Sequence, residues 1–454
     1  MVEVTLAQVL SAREARVATQ QKLLERYHNP LICFTMNIPG PVKNSPAIQR
    51  AFFYGCEALS SIFSTAILYT EHSVEDTGCQ AFYAVDLPPL EAKRRCVELE
   101  DAAPLGRLFD LDVLTGEGEK LERSCLGNPQ RSCMVCGAPG RGCASRRTHS
   151  VAELQTATEQ LLRDHFAPLD AERTAALAVQ SLLDEVDTTP KPGLVDRNNT
   201  GSHWDMDHST FCASALALRS YFSTCVTLGQ ETAALEPEKT FARLRQAGLQ
   251  AEAAMYTATG GVNTHKGIIY SMGILCGALG RLWTAGNPIP ETEILLQSAA
   301  DLSAAAVSAD FSRIRRSGVC STAGETLYRL QGLTGIRGQV AQGFPAVAEI
   351  GLPRYRAALA AGFSPNDAGA AALVHLIAAV EDTNLHRRGG AEGSRFAAGA
   401  AKAVLAHAPL PTADQIQMLD EAFIARNLSP GGCADLLAIT YFLDSLSRET
   451  FPWC

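Results

Sequence analysis

The reactive side chains of this sequence fall in a few dense clusters. Asp110 and Asp112 stand two apart in RLFDLDVL. On a strand, alternate residues share a face, so both carboxylates project together while Phe109, Leu111 and Val113 turn the other way. Such a pair can hold Mg2+ against a phosphate chain, or it can be a solvated strand face. In TMNIPGPVKNSP (35–46) a strand runs into a proline turn, then Lys43 and a Ser45-Pro46 helix start. Asn37, Lys43 and the backbone N–H groups suit phosphate; the alternative is a turn with an exposed lysine. Cys133-x-x-Cys136, Cys143 and His149 carry the donors of a tetrahedral structural zinc site, with free thiols or a redox pair as the other readings. Arg123, Arg131, Arg141, Arg146 and Arg147 make the surrounding stretch basic.

Further along, TTPKPGLVDRNNTGSHWDMDHSTF (188–211) sets Lys191 between two prolines and then presents Asp196, Arg197, His203, Asp205 and Asp207. Asp196, Asp205 and Asp207 together could bind Mg2+, although Asp207 is equally placed to cap the helix that follows. TGGVNTHKGIIYSMG (259–273) brings Gly260, Gly261, Asn263, His265 and Lys266 to a helix start. The glycines let a ligand approach the backbone, and the helix end with Lys266 favours phosphate. The spacing is not that of a Walker A loop. AGETL carries Glu325 and GIRGQVAQGFP carries Arg337. DTNLHRRGG carries Asp382, Asn384, His386 and Arg387, and NLSPGGCADLLA carries Ser429 and Asp435. So many charged, glycine-rich loops between helices predict one polar cleft at the helix ends.

Two kinds of text must position these groups. Up to about Ser150, β-rich runs at Leu31–Met36, 62–69, 79–85 and 107–114 alternate with helical periodicity at 6–28 and 90–100. From about Val151 the sequence is rich in Ala and Leu with helical period throughout, as at 171–186, 210–228, 238–256 and 368–380. RDHFAPLD (163–170) is read as a break between two helices at a proline. The expected architecture is an α+β domain with a mixed sheet over 1–165 and an all-α helical bundle over 166–454.

Composition narrows the function classes. The 454 residues hold 39 Lys+Arg and 48 Asp+Glu, a formal net charge of −9. That balance argues against a nucleic-acid or anionic-membrane binder working by bulk charge, so anionic substrates need the local basic clusters. The most apolar stretch, Gly267–Gly280, is too short for a membrane span. The opening MVEVTLAQVLSAREAR lacks a basic-then-apolar signal pattern. Fourteen cysteines, several at apolar positions such as Cys33, Cys212 and Cys276, read as reduced thiols in a cytoplasmic protein.

PLICFTMNIPGPVKNSP, GRLFDLDV and the R-x-C-x-x-C…C…H stretch together resemble the apo-citrate lyase phosphoribosyl-dephospho-CoA transferase family over residues 10–155. That family moves phosphoribosyl-dephospho-CoA onto a serine of the acyl carrier (gamma) subunit of citrate lyase and releases pyrophosphate. TPKPGLVDRNNTGSHWDMD, GGVNTHKG, GFP, DTNLHRRGG and NLSPGGCADLLA resemble, in order, the triphosphoribosyl-dephospho-CoA synthase family over residues 170–450. Ala323 stands where that family suggests histidine, and Gln339 where it suggests glutamate. Its reaction joins ATP to 3′-dephospho-CoA and releases adenine.

The two resemblances imply a bifunctional, Mg2+-dependent enzyme. Asp110 and Asp112 would hold metal in the first part, with Lys43, Asn37, Arg107, Arg123 and Arg131 on the phosphates. In the second, Asp196, Asp205 and Asp207 would hold metal, and Lys191, Lys266 and Arg387 the phosphates. Arg197, Gly260, Gly261, Asn263, Asn384, His386 and Ser429 would complete the substrate contacts, with Asp205 or His265 as base. Two alternatives stand beside this reading: the same chemistry serving a malonate decarboxylase carrier, and a first part that is only a zinc-stabilised docking module.

Overall fold

The structure is a computed structural model, and it describes residues 2–449. The chain separates into two compact units, the first mainly residues 1–168 and the second mainly 169–449, with 284–287 grouped with the first.

The first unit opens with α1 (Leu6–Tyr27), started by a reciprocal cap between Thr5 and Gln8. Then come β1 (Leu31–Met36), α2 (Pro46–Ile62), β2 (Ile67–Glu75), β3 (Gly78–Val85), α3 (Pro89–Ala102), β4 (Phe109–Leu114), the short β5 (Lys120–Leu121) and α4 (Gly140–Arg146). The sheet order is β2-β3-β1-β4-β5, and every pairing is antiparallel, so the expected mixed sheet is corrected to an antiparallel one. No parallel pair forms because each helix returns the chain beside a strand of opposite direction. The β-rich run expected at 62–69 begins only at Ile67, since α2 keeps its helical hydrogen bonds to Ile62.

The register between β1 and β4 pairs Cys33 with Asp112 and Thr35 with Asp110. One sheet face therefore carries Leu31, Cys33 and Leu114, which pack with Leu23 of α1. The two aspartates lie on that same face. The other face buries Ile32, Phe34, Phe109, Leu111 and Val113. There Phe34 stacks on Phe52 of α2 at 5.1 Å and meets the edge of Phe109 at 5.2 Å.

All elements of the second unit are helical. They are α5 (Val151–Asp187), whose residues up to Pro168 group with the first unit, α6 (His208–Ala217), α7 (Arg219–Glu231), α8 (Pro237–Ala258), α9 (Lys266–Leu282), α10 (Thr292–Ser317), α11 (Ala323–Gln331), α12 (Gly335–Ala341), α13 (Leu352–Ala360), α14 (Pro365–Ala379), α15 (Thr383–His407), α16 (Ala413–Ile424) and α17 (Gly431–Arg448). One π-helical turn, Val347–Gly351, precedes α13. The break read at RDHFAPLD does not occur: α5 runs through Pro168, which costs one backbone hydrogen bond but leaves the flanking turns intact. Conversely, the single helix read at 210–228 is two, with the junction at Leu218.

Helix α9 is the axis of the second core, with every residue from Ser271 to Gly280 buried. This explains the apolar stretch 267–280. Among the described residues one helical stretch, His208–Glu231, has the length and hydropathy to cross a membrane. It is divided at Leu218, and its Phe222, Cys225 and Val226 are buried in the helical core. The thirteen described cysteines are free thiols; Cys33 and Cys276 are buried and Cys212 is half-buried.

Candidate active sites in the two units

In the first unit, β4, α3 and the 120–154 segment enclose an open cleft of 1240 Å3. Asp110, Asp112, Asn37, Arg107, Arg123 and Arg131 all line it. Burial and then the neighbouring Asp112 push the Asp110 carboxyl above its ordinary range, a crowding of like charge that a cation would relieve. Asp112 also pairs with Lys120 at 2.7 Å.

The arginines converge on a residue the sequence did not flag. Glu100, buried in α3, accepts from Arg123 at 3.0 Å, from Arg131 at 3.4 Å and from the Leu111 backbone N–H at 3.0 Å. Its partner one face-repeat earlier, Lys93, donates to the Leu111 carbonyl at 2.9 Å. Arg131 also donates to the Phe109 and Gly106 carbonyls, and Arg107 to that of Ser132. Despite these bonds, the Nε–H groups of Arg107, Arg123 and Arg131 are buried without a partner. Three orphaned guanidinium donors on one cleft ask for an anion. Glu100 was hidden because ELED in a helical stretch reads as solvated surface.

Lys43 is placed differently from expectation. It does not line the cleft; its ammonium donates to the Ile38 carbonyl of its own turn at 2.5 Å. Burial and then Arg13 lower its pKa.

Cys133, Cys136, Cys143 and His149 bring their donor atoms within 4.8 Å of one another. Cys136 Sγ and Cys143 Sγ lie 3.5 Å apart, and His149 Nε2 is buried without a partner. At Cys133, slight burial raises the thiol, but hydrogen bonds from the Cys136 and Val135 backbone outweigh it and bring it down to about 7. Three soft donors and an imidazole at this spacing fit a closed metal site. Cys133, Cys143 and His149 also line the cleft, so this knuckle is one of its walls.

In the second unit four of the expected loops meet. His203 Nε2 lies 2.9 Å from Ser429 Oγ, and Arg388 reaches His203 Nδ1 at 3.0 Å. Asp382 caps α15 through the Asn384 and Leu385 N–H groups and accepts from Cys433 N–H at 2.8 Å, tying α15 to α17. Asp435 lies against Gly267, where any side chain would collide with its Oδ2. That glycine is why the first turn of α9 can sit on α17.

At the bottom of this convergence is a buried ion pair, Lys191 to Glu185 at 2.7 Å, with both side chains nearly inaccessible. Asp435 feels the negative charge of Glu185 and Asp382; burial first, and then those charges, hold its pKa well above the carboxylate range. No described donor bonds to it, and it remains half-buried rather than sealed. His265 donates or accepts through Nδ1 to Ser214 Oγ at 2.7 Å, and its Nε2 is buried without a partner. Burial, then the charge of Lys191, lowers its pKa to about 3, so the ring is neutral. Gly260 and Gly261 both adopt left-handed backbone facing open space, and Asn263 beside them is exposed.

Several expected roles give way to structural ones. The Asp196 carboxylate is consumed by the backbone N–H groups of Lys191, Asn198 and Asn199. Asp207 caps α6 in a reciprocal box with Thr210, which brings its carboxyl down to about 2. Arg197 pairs with Asp187, and Lys266 with Glu252 at 2.7 Å. Asp205 is exposed, 4.0 Å from His203. Arg387 is exposed, while His386 keeps a buried Nδ1 without a partner. Glu325 and Arg337 face each other at 3.7 Å, and Glu325 also accepts from Ser321.

Comparison with known proteins separates the chain at the same place. Residues 4–165 match CitX, the apo-citrate lyase phosphoribosyl-dephospho-CoA transferase family, and residues 171–451 match CitG, the ATP:dephospho-CoA triphosphoribosyl transferase family. Protein CitXG of Haemophilus influenzae is 34% identical over 459 aligned residues, covering 97% of this chain and 96% of that one. The chain belongs to the CitXG family. Protein CitXG of Leuconostoc mesenteroides subsp. cremoris is 32% identical, with 97% of each chain covered. A probable 2-(5''-triphosphoribosyl)-3'-dephosphocoenzyme-A synthase of Citrobacter koseri is 41% identical over 283 residues, 60% of this chain and 90% of that one. As a CitXG protein this chain is a bifunctional transferase of citrate lyase prosthetic-group synthesis.

Proposed function

We propose that each unit performs one step of making and attaching the prosthetic group. The second unit, read as an all-α bundle, takes ATP and 3′-dephospho-CoA. The 2′-hydroxyl of dephospho-CoA attacks the anomeric carbon of the ATP ribose. A C–O bond forms, the C–N bond to adenine breaks with its electron pair going to the base, and the triphosphate stays on the sugar. Asp435 takes the hydroxyl proton: it is an unpaired carboxylate, and its raised pKa makes its ionised form a stronger base than His265, whose pKa has fallen to about 3. The neutral His265 is then left to orient a hydroxyl through Nε2. Glu185 and Lys191 hold this floor rigid, and Asn384, His386, Arg387, Ser429 and the Gly260–Gly261 turn face the phosphates.

The first unit, over 1–165, passes phosphoribosyl-dephospho-CoA to a serine of the citrate lyase acyl carrier gamma subunit. The serine oxygen bonds to the phosphorus nearest the ribose, and pyrophosphate departs with the electron pair of the broken P–O bond. Arg107, Arg123 and Arg131 receive that anion through their unpaired donors. Asp110 and Asp112 suit Mg2+, which would neutralise charge building on the phosphates. The knuckle suits a structural Zn2+. Reduced cysteines and substrates of central metabolism are consistent with a cytoplasmic setting.

The observation that carries this reading is the pairing of two independent sites, each with unsatisfied groups matched to its own substrate. Replacing Asp110 and Asp112 by Asn tests it. Pyrophosphate release with the carrier should fall on the order of 100-fold or more while adenine release is untouched. Retention of full pyrophosphate release would refute the assignment of the aspartates.

A further inference from the structure

A second cavity, of 360 Å3 and in the helical unit, shares only Asp382 with the sites described so far. It lies between the 332–336 turn at the start of α12, the π-helical turn 347–351, the end of α14 and the first residues of α15 and α17. Its volume falls at the lower end of small-ligand pockets. Leu333, Ile336, Pro345, Ile350, Val380 and Leu436 give it apolar walls.

Polar groups sit at the edges of these walls. Gln339 accepts the Ala346 N–H on Oε1 at 3.1 Å, which fixes the amide and leaves its Nε2 donors for a ligand. Thr334 and Thr383 add hydroxyls, and the Glu349 and Glu381 carboxylates are acceptors at the mouth. The backbone is built for this shape. Gly343 and Phe344 both take left-handed conformations, and the buried Phe344 does so without a glycine's freedom. The π-turn that follows is a device found often at functional positions.

A small cavity of mixed apolar and polar walls, edged by a fixed amide donor and carboxylate acceptors, matches a purine with a ring-nitrogen acceptor and an exocyclic amino group. Position supports the same match. Gly432 and Leu436 line the cavity from α17, while Asp435, between them in sequence, faces Gly267. Asp382 borders the cavity and also ties α15 to α17. The cavity therefore adjoins the first turns of α17, which also carry the proposed proton acceptor.

We infer that this cavity is an adenine-binding subsite of the triphosphoribosyl transfer, an inference that rests on the reaction proposed above. Both substrates carry adenine, and the ring beside the reacting sugar is that of ATP. Gln339 then acts on base recognition, which gives the position a purpose where glutamate was expected.

Two full-length variants test it: Ile350→Trp and Ile336→Trp, each of which puts a bulky ring into the cavity. Steady-state adenine release is measured against ATP and against dephospho-CoA, and folding is checked by the thermal midpoint. A rise of about tenfold or more in KM for ATP, with KM for dephospho-CoA unchanged, supports the inference and names ATP as the source. The same rise confined to dephospho-CoA supports an adenine subsite for that substrate instead. Both KM values staying at wild-type levels in a folded Ile350→Trp chain overturns it. If the wild-type chain releases no adenine, the failure belongs to the proposed reaction, and binding of free adenine by wild type but not Ile350→Trp still reads the cavity separately.

Discussion

At the scale of single residues, the account depends on which carboxylate is free to act. Asp196 and Asp207 spend their oxygens on backbone N–H groups, whereas Asp435 has no donor and Asp110 is crowded by Asp112. Asp435→Asn should cut adenine release by 100-fold or more with little change in KM for ATP, since proton abstraction belongs to the transition state. The sign of the pH dependence follows from the raised pKa: the active form is deprotonated, so kcat falls as pH drops through that value. His265, lowered to about 3, adds no limb to the profile near neutrality. A profile in Asp435→Asn that retains the wild-type acid limb would show that another group is the base.

Among elements, two arrangements carry the sites, one buried and one nearer the surface. Lys191 and Glu185 form a pair with side-chain exposures of 1% and 7%, so removing one charge strands the other. Lys191→Met should destabilise the helical unit by about 3–5 kcal/mol, measured by denaturant unfolding, and adding Glu185→Gln should recover part of it. The metal knuckle is the second. Cys136→Ser should lower zinc content per chain and reduce pyrophosphate release, because the knuckle backbone at Ser132 accepts from Arg107. Adenine release should persist, and unchanged metal content would argue against the four-ligand set. Strands such as Leu31–Met36 and the loop motifs were legible in the sequence because period and turn chemistry are local. The continuous α5 was not, since a single proline looks like a break until packing holds both flanks. Glu100 and Glu185 were equally invisible. Each reads as a charge on a helix surface, and only the fold turns it inward onto arginines or Lys191.

For the whole molecule, two sites with distinct chemistry in one chain predict separable losses: Asp110 and Asp112 variants keep adenine release, and Asp435 variants keep pyrophosphate release when given the preformed triphosphoribosyl intermediate. Joining them in one polypeptide raises the effective concentration of the intermediate near its consumer. The acidic chain of net charge −9 still gathers Arg107, Arg123, Arg131 and Arg147 at the cleft of the first unit, where a polyanion can be held. The most direct test is adenine release, followed by chromatography, from ATP and Mg2+ with and without dephospho-CoA. Adenine should appear only when dephospho-CoA is present, in step with loss of ATP. ADP in its place, or no adenine at all, would contradict the glycosyl transfer at the centre of this account.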